Sequence, residues 1–154
     1  MNRPDISTPP ALQWSEELLL GVTNMDAEHR RFVALIATLQ GCADADLAPT
    51  LEEFAAHAKA HFAAEDASMV EIDLPIRDCH IDEHAAVLQS VDAVLALVRG
   101  GDSAQGRRLA QALADWFPGH VQHLDSAVSE SLLKRRLGAK PVVRRRGVVR
   151  SLVD

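Results

Sequence analysis

His61-Phe62-Ala63-Ala64-Glu65 and His80-Ile81-Asp82-Glu83-His84 decide how this chain is read, with a break at Leu74-Pro75 between them. Each pentapeptide places two metal-type ligands four residues apart. On an α-helix that spacing is about 400°, so both side chains share a face, one turn apart. Apolar neighbours turn that face toward a core. A His/Glu pair and a His/His pair on facing inner stripes is the geometry of a metal site inside a helical bundle. One such pair says little, because i,i+4 polar pairs are common on solvated faces. Two pairs in successive helices, with further histidines outside them, say much more.

Across the rest of the chain the 3.6-residue apolar period dominates and no convincing alternating run appears, so the class is all-α. A first helix is expected from about Thr23 to Leu39, with Asp26 and Glu28 in its first turn. Its apolar stripe is Phe32, Leu35, Ile36 and Leu39, and His29 lies on that side. Gly41 to Pro49 reads as a loop, and Thr50-Leu51-Glu52-Glu53 as the cap of a second helix ending near Glu71. A third runs from about Ile76 to Arg99. Gly100-Gly101-Asp102-Ser103 ends it and caps a fourth, which reaches toward Arg136. Short connections imply an up-down-up-down antiparallel four-helix bundle. The expected organisation is an N-terminal arm over residues 1–13, a bundle over 14–137 and a basic tail over 138–154.

The 154 residues are enough for one domain with a real core, and 47% of them are hydrophobic. No apolar run approaches a bilayer-spanning length, and the polar, Pro-containing start is not a signal peptide. Two cysteines, Cys42 and Cys79, make no disulfide framework, so a reduced cytoplasmic setting is expected. The net charge of -6 is unevenly spread: residues 1–133 carry 8 Lys and Arg against 21 Asp and Glu, and residues 134–154 carry 8 against 1. The body is acidic and the tail basic.

All seven histidines fall on the expected helices. The first helix offers Asp26, Glu28 and His29, the second His57, His61 and Glu65, the third His80 and His84, and the fourth His120, His123 and Asp125. A lone histidine on an apolar face is more often a satisfied core residue than a ligand. Seven that align with inner stripes are not a chance surface set.

From Trp14 to about Asp125 the chain resembles the hemerythrins, and among them the single-domain bacterial ones. The resemblance rests on Trp14…Gly21-Val22…Met25-Asp26-Ala27-Glu28-His29, His61-Phe62-x-x-Glu65-Asp66-x-x-Met69, Leu74-Pro75-x4-His80-x3-His84 and Trp116-Phe117-x-x-His120-Val121-x3-Asp125. It implies a non-haem centre of two iron ions, oxo- or hydroxo-bridged. His80, His84 and His120 would bind one iron, His29 and His61 the other, and Glu65 and Asp125 would bridge them. The second iron, one imidazole short, keeps an open position, and O2 is the ligand the resemblance implies there. Imidazole with carboxylate suits iron, although such ligands alone also accept zinc or manganese. The resemblance uses neither His57 nor His123, so outer or surface roles are expected for both. Leu74 stands where many relatives have Tyr, Phe117 where a Leu commonly lines the O2 pocket, and Val87 where a Phe is usual. None removes a ligand, and together they reshape the pocket. Its expected wall is Phe32, Phe62, Trp116 and Phe117, residues that plain core packing would also explain.

The implied function is reversible O2 binding for carriage, storage or sensing, and not catalysis. The competing classes are a di-iron enzyme acting on peroxide or nitric oxide, and a regulatory domain acting through a partner. No appended output domain is expected. The tail, with Lys134-Arg135-Arg136 and Arg144-Arg145-Arg146, is expected to be poorly ordered beyond Gly138. It reads as a solvated screen or as a docking arm for an anionic partner. No aromatic residue interleaves with its arginines, so specific nucleic-acid binding is not expected. Finally, His120 and Asp125 are five residues apart, about 140° round a regular helix. Both reach one centre only if the helix widens or kinks between 116 and 125, downstream of the donor lost at Pro118.

Overall fold

A computed structural model describes residues 8–137, 142–145 and 148–151. A short 3-10 turn, Glu16–Leu18, precedes α1 (Thr23–Gly41), α2 (Asp44–Glu71), α3 (Arg77–Arg99) and α4 (Ser103–His120). A five-residue π turn, Val121–Asp125, then carries the chain into α5 (Ser126–Arg136) without a break. Each long helix packs on its neighbours in chain order, and α4 closes the ring against α1. The fold is therefore the all-α four-helix bundle that the apolar period implies. Among the described residues no helix is long and apolar enough to cross a membrane.

The expected stripe of α1 is buried in full: Phe32, Leu35, Ile36 and Leu39 meet Leu47, Leu51 and Phe54 of α2, Val91 and Leu95 of α3, and Leu113 and Phe117 of α4. Burying one such side chain is worth roughly 1.5–3 kcal/mol. Gly106 lets α4 approach closely, since a Cβ there would meet Val98 Cγ2 at 2.8 Å and Leu47 Cδ1 at 3.3 Å.

The start of α2 departs from the expectation. The stretch up to Pro49 is not a loop, and Thr50 is not a cap: the helix begins at Asp44 and holds Pro49 inside it. Proline at that depth removes one intrahelical hydrogen bond. Packing offsets the loss, because Leu47 and Leu51 lie one turn apart and are each 1% exposed. Arg107 of α4 pins the same end, donating to Asp44 Oδ1 (3.1 Å) and to the Cys42 carbonyl (2.9 Å).

Two of the connections are held by polar clamps. Buried Asp26 accepts the backbone N–H groups of Leu20 (2.8 Å) and Gly21 (3.0 Å). Gly21 turns the chain there with φ of 83°, a conformation open to a residue without Cβ. Asp102 caps α4 by accepting from Gln105 N–H. In the arm, Leu12 N–H donates to Gln40 Oε1 at 2.7 Å, so this part is tied to the end of α1; residues 1–7 lie outside the described set.

Two short strands lie in the tail. Val142–Arg145 (β1) and Val148–Ser151 (β2) pair antiparallel, Val142 opposite Ser151 and Arg145 opposite Val148. Each strand opens on two β-branched valines, which favour a pleated backbone. The remaining tail residues, 138–141, 146–147 and 152–154, lie outside the described residues.

Candidate metal centre

Four helices and the turn after the last of them deliver one buried polar cluster. His29 comes from α1, His61 and Glu65 from α2, His80 and His84 from α3, His120 from the last turn of α4, and Asp125 from the π turn. All seven are buried, His29 and His80 completely. The structure thus brings together every residue that the family resemblance implies as a metal ligand.

The π turn makes this convergence feasible. The Ser126 N–H reaches back to Val121 O, five residues away. One extra residue in the turn brings Asp125 round to the face that His120 occupies, where a regular helix would leave them about 140° apart. Asp125 Oδ1 then lies 3.0 Å from both His120 Nε2 and His80 Nε2. The expected widening is present where the spacing requires it.

Asp125 stands between two groups of imidazoles. Its Oδ2 faces His29 Nε2 at 3.1 Å, while Oδ1 faces His80 and His120. Glu65 has a similar position: Oε2 is 3.2 Å from His61 Nε2, and Oε1 is 3.9 Å from His80 Nε2. His80, His84, His120 and Asp125 each present one ligand atom within 4.8 Å of all the others.

The donor set fits a cation on two counts. First, both oxygens of Glu65, both of Asp125 and both nitrogens of His29 are buried with no hydrogen bond closed, although imidazoles and carboxylates lie within contact distance. Unsatisfied buried carboxylates are costly. Second, His84 Nδ1 lies 2.7 Å from Asp66 Oδ1, and His120 Nδ1 lies 3.0 Å from Glu83 Oε1. An imidazole that donates from Nδ1 leaves Nε2 as a lone pair. The two Nε2 atoms face each other at 3.2 Å, and His80 Nε2 is 3.4 Å from that of His120. Lone pairs gathered this closely repel one another unless a positive charge lies among them.

The electrostatics of the metal-free cluster differ from one ligand to the next. Burial, with His80 and His120 beside it, pushes the His84 imidazole down to about 3, which keeps it neutral and able to ligate. Burial raises the Glu65 carboxyl. At Asp125 burial acts in the same direction, but the close imidazoles of His120, His29 and His80 outweigh it and hold the carboxyl well below its usual range. At His120 burial acts downward, and Asp125 and Glu83 more than offset it, so the ring is raised.

The expected aromatic wall is also assembled. Phe62 stacks on His84, with centroids 4.0 Å apart and planes 6° apart. Phe117 meets His29 edge-on at 5.6 Å, Phe32 meets His61 at 5.1 Å, and Trp116 lies 4.5 Å from His120. Phe32 stacks between Phe62 and Phe117.

The chain matches the hemerythrin HHE cation binding domain model over residues 20–129. The chain belongs to the hemerythrin family. Among similar hemerythrins, a bacteriohemerythrin of Ralstonia nicotianae is 39% identical over 126 residues, covering 82% of this chain and 92% of that protein. A bacteriohemerythrin of Pseudomonas aeruginosa is 25% identical over 125 residues, covering 79% of this chain and 81% of its own. One of Stenotrophomonas maltophilia is 22% identical with the same coverage of both. The matched span contains every histidine and carboxylate of the cluster.

Sequence reasoning left Glu83 and Asp66 without a role and named Glu28 only as a first-turn acid and a candidate donor. Glu83 accepts from both His120 and Trp116 Nε1, the latter at 2.7 Å. Asp66 holds His84. Glu28 Oε2 stands 3.3 Å from His57 Nε2 and 3.9 Å from His61 Nδ1. The signal was adjacency: Asp66 follows Glu65 and Glu83 precedes His84, but neither lies on the i,i+4 grid. His57 is half-buried beside Glu28, and His123 is exposed, which agrees with outer and surface positions.

Proposed function

We propose that this hemerythrin binds O2 reversibly at a di-iron centre. In this reading His80, His84 and His120 hold one iron, His29 and His61 hold the other, and Glu65 and Asp125 span both. The observation that carries it is Asp125, whose two oxygens face separate imidazole groups at 3.0–3.1 Å. A carboxylate so placed suits two cations better than one. Bound iron would supply a redox-active ion with one position left for a small ligand. Phe32, Phe62, Trp116 and Phe117 keep the surroundings apolar, which excludes water and protons from the bound ligand.

Binding is favoured over turnover by the use already made of the buried polar groups. Among the described residues these are the seven of the centre, Asp26, which clamps Leu20 and Gly21, and Ser129, which donates to the Ser126 carbonyl. None is left over as an acid or base. Two free thiols, Cys42 and Cys79, suit the reducing cytoplasm. The test is metal analysis of anaerobically purified protein, with its visible spectrum before and after air. About two irons per chain and a spectrum reversed by removing O2 support the reading. One zinc with no iron uptake, or rapid consumption of peroxide or nitric oxide, overturns it.

A further inference from the structure

A cluster this deeply buried raises the question of how a cation gets in. His29 and His80 are 0% exposed, His84 and Asp125 1% and His120 4%; only His61, at 9%, and Glu65, at 6%, retain more contact with the outside. Both line a cleft of about 340 Å³ where α1, α2 and α5 meet. Met25, Ala64, Val128 and Leu132 form its sides, and the exposed Glu28 and Arg136 also line it. On the far side of the centre, Asp66 and Glu83 back the imidazoles, and Phe62 and Trp116 cover them.

The donors along the cleft form a graded series. Glu28, 48% exposed in its side chain, reaches toward His61 Nδ1. The same ring turns Nε2 inward to Glu65 Oε2 at 3.2 Å. Glu65 itself is buried, with both oxygens free of any hydrogen bond. A carboxylate at the outside, an imidazole between and an unpartnered carboxylate at the end give a dehydrating cation an oxygen or nitrogen ligand at every stage. This matters because shedding water without replacement ligands is strongly unfavourable.

We propose that this cleft is the port through which a divalent cation reaches and leaves the centre, and that Glu28 is the residue that first holds it there. Arg136 opposes that traffic by its charge. The proposal rests on the reading of the cluster as a metal centre and adds the route to it.

The experiment uses the full chain stripped of metal by a chelator, then mixed anaerobically with Co2+, whose visible absorption reports uptake; excess chelator then measures removal. Glu28→Gln is expected to slow uptake by about tenfold, the low end of the range over which a charged cleft raises association rates. Ala64→Phe fills the cleft from an exposed helix position. It is expected to slow uptake and removal by the same factor, about tenfold, leaving the affinity unchanged, as an obstructed path must. Arg136→Gln is expected to speed uptake. Ala112→Phe, in the groove between α3 and α4, serves as the control and should change neither rate. Should Ala64→Phe fold poorly, Glu28→Gln and Arg136→Gln still decide the matter through their opposite signs. Unchanged rates in those two variants, or slowing by Ala112→Phe instead, overturn the port. Failure of the unmutated chain to take up Co2+ at all overturns the metal-centre reading itself, which is a separate result.

Discussion

The two sides of the centre are built differently. On one side His84 and His120 are each backed by a carboxylate, Asp66 at 2.7 Å and Glu83 at 3.0 Å, and covered by Phe62 and Trp116. On the other side His29 Nδ1 has no hydrogen-bond partner, and His61 Nδ1 has only Glu28 at 3.9 Å, facing a cleft. The carboxylates set the tautomers and ring angles of His84 and His120 in advance, whereas His80 Nδ1, like that of His29, has no hydrogen-bond partner. The open side has room for exchange. In the proposed reading the site holds two cations and admits a small ligand, which needs both qualities, and here they are divided between two ends of one cluster. Asp125 is the piece they share.

That sharing gives the largest expected effect. Asp125→Ala should lose both cations, because one side chain faces imidazoles of both sides. Metal analysis of the variant should fall from about two ions per chain to near none. Retention of one ion would mean that the sides are independent and that Asp125 does not join them. Next in size is the backing itself. Glu83→Gln and Asp66→Asn should each weaken metal binding by about 10–100-fold, the usual cost of removing a carboxylate behind a ligand imidazole. Glu28→Gln, on the open side, should leave the equilibrium affinity within about threefold, since its carboxylate comes no closer than 3.9 Å to His61 Nδ1. A competition titration compares the three. Equal losses in all three would erase the contrast between the sides.

A smaller effect appears in the metal-free protein as a function of pH. The His84 ring is held at about 3 in the fold, against 6.5 when free. Between those values the unfolded chain binds the proton and the folded chain does not. Stability is therefore present above about pH 6.5 and is lost as the pH falls toward 3. The lowered Asp125 carboxyl adds to the loss below its free value of 3.8. Glu65, raised by burial, works the other way and softens the slope near its own range. His120 is raised, so its contribution is complete below 6.5 and adds no slope in this window. Denaturant midpoints at a series of pH values should fall more steeply for the native chain than for His84→Gln. Equal slopes would show that the ring is not held neutral by its surroundings.

Much of this was legible in the sequence because helices obey a fixed angular period. His61 with Glu65, and His80 with His84, could be placed on one face without coordinates, and the five-residue interval from His120 to Asp125 called for a kink or widening, which is found as the π turn Val121–Asp125. The features that escaped are set by contacts between helices. Nothing local announces that Glu83 of α3 will serve His120 of α4, 37 residues away. The start of α2 defies its local signals for the same reason. Pro49 and Thr50 both mark a boundary, yet Leu47 and Leu51 pack into the core and Arg107 arrives from α4 to hold the end. Tertiary packing overrides such local preferences.

The smallest effect expected is that of the tail, and it tests whether the open side depends on the segment beyond α5. Val128, Leu132 and Arg136 of α5 line the cleft, and α5 ends at Arg136. β1 and β2 pair with each other, and every residue of the cluster precedes Ser126. Truncation after Gly138 therefore removes the ribbon and leaves the cleft and both sides of the centre intact. Stability should change by no more than about 0.5 kcal/mol, the range for surface changes away from packed features. Metal content and the rates of Co2+ uptake and removal should match those of the full chain. The deletion does remove Lys140, Arg144, Arg145, Arg146 and Arg150, five of the eight basic residues in the segment 134–154. Any association with anionic vesicles at low salt should then disappear, because such attraction scales with basic charge and is screened within about 10 Å at about 0.1 M salt. If the shortened chain instead exchanges metal faster while the affinity holds, the tail shields the cleft. The open side would then owe part of its character to a segment outside the bundle.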